Sequence, residues 1–99
     1  MAALVTLEEA RVHLRLTEDE FDDADIAATV TFQAEAASDI VIDYIKRPDH
    51  GWTDADAPAL VKSAILLVLG ALFDNREGGD PISEAVQSLL WRYRDPALA

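Results

Sequence analysis

Ten consecutive residues, Ala64 to Phe73 (AILLVLGALF), carry no polar side chain. No other feature restricts the fold of this chain as strongly. A helix built from them has no face suited to water, so neighbouring helices or another subunit must cover it. A membrane does not solve the problem. Ten residues make about 15 Å of helix, half the thickness of a hydrocarbon core. Lys62 and Asp74 close the run on either side. The start, Met1-Ala2-Ala3-Leu4-Val5, lacks the basic region and long apolar stretch of an export signal. The expectation is a soluble protein made in the cytoplasm. Its 99 residues suggest a single domain spanning 1–99.

The remaining pattern is helical throughout, and predicts an all-α, compact four-helix domain. Thr6 and Glu9 have the spacing of a capping box, so the first helix starts at Leu7 and stops near Arg15. Leu7, Ala10 and Leu14 share one face. Thr17 to Asp22 reads as an acidic connection. The long second helix runs from about Ala24 to Lys46. Ile26, Val30, Ala37, Val41 and Tyr44 form its inner stripe, which Phe32, Ile40 and Ile45 widen. Arg47-Pro48 ends it, since the residue before proline leaves the helical region. The third helix has Pro58 in its first turn and ends near Asn75, ahead of Gly78-Gly79. Asp80 is the expected cap of the fourth, with Pro81 in its first turn and Asp95-Pro96 as its stop. Ile82, Val86, Leu89, Leu90 and Tyr93 line its inner face.

On this plan the apolar third helix is central, and Leu67, Val68, Ala71 and Leu72 are its buried residues. Gly70 costs about 1 kcal/mol relative to alanine inside a helix. A second helix crossing close to the backbone there would account for it.

Nothing in the chain points to catalysis, a cofactor or a metal. There is no cysteine, which excludes disulfides, thiolate metal sites and cysteine nucleophiles. His13 and His50 stand alone, with no serine or cysteine motif beside them. The run Glu18 to Asp25 (EDEFDDAD) lacks the glycine and closing glutamate of a calcium loop. Gly78-Gly79 follows a helix and precedes Asp80, the wrong setting for a phosphate cradle.

The net charge of −11, with acids crowded into 18–25 and 49–56, disfavours binding to duplex DNA or to an anionic membrane. Trp91 lies nine residues beyond Ile82, about 180° around the fourth helix and opposite its inner stripe. Such a tryptophan either folds under a loop or anchors a contact with another protein. Arg92 and Arg94 beside it are two of only eight basic residues.

In order and spacing, these pieces resemble the small all-helical head-tail connector (adaptor) proteins of tailed double-stranded DNA phages. The resemblance spans essentially the whole chain. Its carriers are LVTLEEARVHLRL at the start, the long ADIAATVTFQAEAASDIVIDYIKR, then GWTDADAPALVKSAILLVLGALFDNREG, and the closing ISEAVQSLLWRYRDP. The apolar helix ending in Asn75-Arg76-Glu77 is the most specific of them. Leu72-Phe73 stands where the family commonly has a Trp-Tyr pair.

The resemblance implies a non-enzymatic virion protein at the head-tail junction, made in the bacterial host cytoplasm. It implies a homo-oligomeric, dodecameric ring below the portal protein, with a stopper or tail-completion protein beneath. DNA then passes through the channel without specific binding, and no membrane or cofactor is involved. Candidate interface residues are Trp91, Arg92, Arg94, Trp52, Asn75, Arg76 and Glu77. The rival is a stand-alone acidic helical module, a nucleic-acid mimic or antitoxin-like regulator. It accounts for the charge but not for the apolar helix with its Asn-Arg-Glu end.

Overall fold

Helix α1, Leu7–His13, begins as a capping box. The Glu9 amide donates to the Thr6 hydroxyl at 3.0 Å, and the Thr6 amide donates to the Glu9 carboxylate at 2.8 Å. A computed structural model describes residues 3–46, 50–74 and 82–91 of the chain. Every regular element among them is helical.

The acidic connection has more order than its composition suggests. Glu18–Phe21 forms a one-turn helix, α2, because Thr17 and Glu20 repeat the capping box of α1. The plan of four principal helices thus gains a short fifth. Asp23 then caps the long helix α3, Ala24–Ile45, by accepting from the Asp25 amide at 2.9 Å. Lys46 ends α3 in the left-handed conformation, φ 61°, one residue short of the expected end.

Helix α4 is Ala59–Asp74. The Pro58 carbonyl accepts the first helical bond, from Lys62 at 2.9 Å, so Pro58 sits just before the first turn and not within it. Helix α5 is Glu84–Leu90. Its cap is Ser83, whose hydroxyl accepts from the Val86 amide, and not the more distant Asp80. The expected stop at Asp95-Pro96 and the stripe residue Tyr93 lie outside the described residues.

The core forms between α3 and α4. Val30, Ala34, Ala37, Val41 and Ile45 from α3 meet Val61, Ala64, Ile65, Val68 and Leu69 from α4. Val86 and Leu90 of α5 join this cluster, as does Ala10 of α1. Helix α4 packs against α1, α3 and α5, which makes it the central element. The radius of gyration, 13.3 Å, is that of a close-packed chain of this length.

Three expectations about the core need correction. Val68 is buried and Leu72 half-buried, but Leu67 and Ala71 face outward. Leu60, Ser63, Leu67 and Ala71 make a stripe on the side of α4 turned away from α3. Phe32 does not widen the inner face of α3. It lies about 200° around the helix from Val30, and is 72% exposed. Leu7 is likewise exposed, leaving Ala10 and Leu14 to pack inward.

Gly70 also has a different neighbour. The nearest group to an added Cβ would be the His13 imidazole, its Nε2 at 3.5 Å, which is ordinary contact. No tight helix crossing requires glycine there. Gly70→Ala is therefore expected to stabilise the isolated protein by about 0.5–1 kcal/mol through helix propensity. Thermal melting followed by circular dichroism checks this; a lower melting temperature would mean that His13 cannot yield.

Candidate protein interface

Two elements position the exposed apolar groups. On α3, the residues at the buried positions are spaced to face α4, and the opposite side carries Ala28, Phe32, Glu35, Asp39 and Asp43. These five recur at intervals of three or four and so form one ridge along the helix. Its first half is apolar and its second half acidic. Beside Phe32, a groove of about 410 Å³ runs between α3 and the end of α4, bounded by Thr29, Gln33 and Leu72. Gln33 fixes one wall by donating from Nε2 to the Leu72 carbonyl at 3.3 Å.

On the other side, α1 lies against α4 and leaves a second groove, of about 390 Å³. Val12 and Leu66 are its apolar lining, and Glu8, Glu9 and His13 its rim. Val12 is 59% exposed. Both rim acids are held by cations of the same chain. Arg11 pairs with Glu8 and also donates to the Leu16 carbonyl at 3.0 Å. Lys62 of α4 reaches across to Glu9, its Nζ lying 3.0 and 3.1 Å from the two carboxylate oxygens. The Glu9 pKa is lowered, chiefly because its carboxylate accepts from the Thr6 backbone amide, with Lys62 adding to the effect. The Arg11 hydrogen bond likewise lowers the Glu8 pKa.

Trp91 caps the end of α5, its amide donating to the Gln87 carbonyl at 3.1 Å. It is 68% exposed. Trp52 is half-buried and packs against the core. Its amide donates to His50 Nδ1 at 2.8 Å, and the two rings lie 5.3 Å apart. Asn75, Arg76, Glu77, Arg92 and Arg94 lie outside the described residues. Among those described, no three histidine or acidic side chains are grouped so as to hold a metal ion. No described helix is long and apolar enough to cross a membrane.

Phe32 was expected on the inner face of the long helix and Val12 was assigned to no face, yet both are exposed. The signal was present in the wheel: Phe32 stands two residues from the buried Val30, and Val12 two from the buried Ala10. Two residues turn a helix through about 200°.

No family model and no curated protein matches the sequence. The fold has a counterpart among solved structures. The chain is similar to the crystal structure of bacteriophage HK97 gp6, with a TM-score of 0.71 and 25% sequence identity over 93% of this chain and 94% of that one.

Proposed function

We propose that the chain is a head-tail connector of a tailed double-stranded DNA phage, a structural subunit and not an enzyme. The observation that carries this reading is the end-to-end likeness to a phage protein, spanning nearly all of both chains. It agrees with the resemblance carried by the apolar helix and its Asn75-Arg76-Glu77 end. The acidic-module alternative explains the charge but leaves that likeness without a reason.

In this reading one domain forms the subunit, and copies join in a dodecameric ring below the portal, with a stopper or tail-completion protein on the far side. The junction of head and tail in the virion is its place of action. A ring is a head-to-tail assembly, so each subunit presents two different faces that fit one another. The net charge of −11 suits a conduit. Acidic walls repel phosphate, and repetition of the subunit multiplies the effect without any DNA-specific contact.

Trp91, Arg92 and Arg94 form the docking end toward the portal. An exposed tryptophan can anchor an interface, and arginines orient it by pairing with carboxylates. Trp52 with Asn75, Arg76 and Glu77 supplies a second contact region.

The experiment is co-sedimentation of the protein with purified portal rings, followed by negative-stain microscopy. Wild-type protein should co-sediment and add density to one end of the ring. A Trp91→Ala, Arg94→Ala double variant with an unchanged helical spectrum should lose that association. Wild-type protein that fails to bind, or that forms a stable complex with duplex DNA at physiological salt, would defeat the connector reading. A folded double variant that still binds would move the docking end elsewhere.

A further inference from the structure

The groove beside Phe32 continues toward the start of α3. A second hollow, of about 240 Å³, is lined there by Asp25, Ile26, Thr29 and Phe73. Thr29 belongs to both hollows, so they adjoin. Asp25, Thr29 and Gln33 are spaced by four and therefore stand in one row along α3, spanning about 12 Å. We propose that this groove seats a helical segment of a partner protein that carries an apolar side chain and, about one turn further on, an arginine. The apolar group packs against Phe32 and Leu72, and the guanidinium pairs with Asp25. The connector reading is not required for this contact, which follows from the groove alone.

The lining and its surroundings select a cation. Asp25 is exposed and makes no ion pair among the described residues. Asp22 and Asp23 precede it, and no lysine or arginine lines either hollow. Arginine suits the row better than lysine, because its planar fork can donate to the Asp25 carboxylate and the Thr29 hydroxyl together. Gln33 supplies an independent reason for a donor. Its Oε1 is buried without a hydrogen-bond partner, the only such side-chain atom among the described residues. Its Nε2 is committed to the Leu72 carbonyl, one of the last four of α4, which have no acceptor role within their own helix. A side chain held by a single bond of 3.3 Å can turn enough to offer Oε1 to the groove. Phe32, 72% exposed, is the apolar wall that a partner would cover. A second copy is a poor source of the arginine. Arg11 and Lys62 are already ion-paired, and Arg15 leads into the acids at 18–25. Two chains of net −11 repel at so acidic a mouth.

The test is a titration of the isotope-labelled chain, followed by nuclear magnetic resonance, with a helical alanine–glutamine peptide bearing leucine and arginine four positions apart. Saturable shifts are expected at the Thr29 and Ala36 amides and at the Gln33 side-chain amide, and not at Val12 or Leu66. A peptide with glutamate in place of arginine should bind about tenfold more weakly, since an attractive pair becomes a repulsive one. Asp25→Asn should weaken binding of the arginine peptide about threefold. Ala28→Trp fills the groove and, with an unchanged helical spectrum, should abolish the shifts. Equal binding of the two peptides, or shifts that survive Ala28→Trp, would overturn the proposal, as would silence at Gln33 with the arginine peptide in large excess. Shifts at Phe32 and Gln33 that grow with protein concentration alone would give the groove to a second copy and overturn it equally.

Discussion

Val68→Asp should leave little folded protein, while Leu67→Asp, one residue earlier, should melt close to the wild-type temperature. Val68 has no exposed surface and lies in the α3–α4 seam. An ionised carboxylate there has no partner and no water, at a cost of several kcal/mol. That approaches the whole stability of a domain this small, about 5–15 kcal/mol for proteins generally and toward the low end at this length. Leu67 is 41% exposed on the outward stripe of α4. Its carboxylate replacement would be solvated and should cost about 1 kcal/mol, part of it helix propensity. Circular dichroism melts of the two variants test the orientation of α4. Equal destabilisation would mean that the helix is rotated from the position described, or that Leu67 is covered by a partner even in the free protein.

The same pair of residues explains what was legible in the sequence. Helix α4 is apolar on every side, so its hydrophobicity has no period and cannot say which side faces inward. The sequence therefore identified the central helix but misassigned Leu67 and Ala71. Only the packing of α3, α1 and α5 around it distinguishes the sides. Local chemistry is more legible. Thr6 with Glu9 marked the start of α1 because both partners of a capping box lie within one turn. The identical spacing of Thr17 and Glu20 was overlooked, since the density of acids suggested a solvated loop. Phe32 was misplaced for another reason: hydrophobicity was weighed above angle, although Val30 had already set the inward direction of α3. For the candidate interface, composition located the two tryptophans. The groove was not legible in advance, because Val12 and Leu66 come from helices about 50 residues apart in the chain and meet only in the fold.

Ser38→Ala is the other substitution expected to act strongly, although it removes a single oxygen. Ser38 sits among the alanines of α3, where a serine looks interchangeable with its neighbours. In the fold it is wholly buried. Its hydroxyl donates to the Ala34 carbonyl at 2.9 Å and accepts from the Leu4 amide at 3.0 Å. The second bond spans 34 residues and ties the segment ahead of α1 to the long helix. Leu4 and Val5 are themselves buried, so water cannot replace the lost acceptor. An orphaned buried amide costs about 1–3 kcal/mol, against which alanine returns about 0.5 kcal/mol of helix propensity. The net expectation is a clear fall in melting temperature, accompanied by faster hydrogen exchange at the Leu4 amide. Ser63→Ala, on the exposed side of α4, is the matched control and should be neutral or slightly stabilising. Unaltered protection of the Leu4 amide in Ser38→Ala would mean that packing of Leu4 and Val5 alone holds α1 in register.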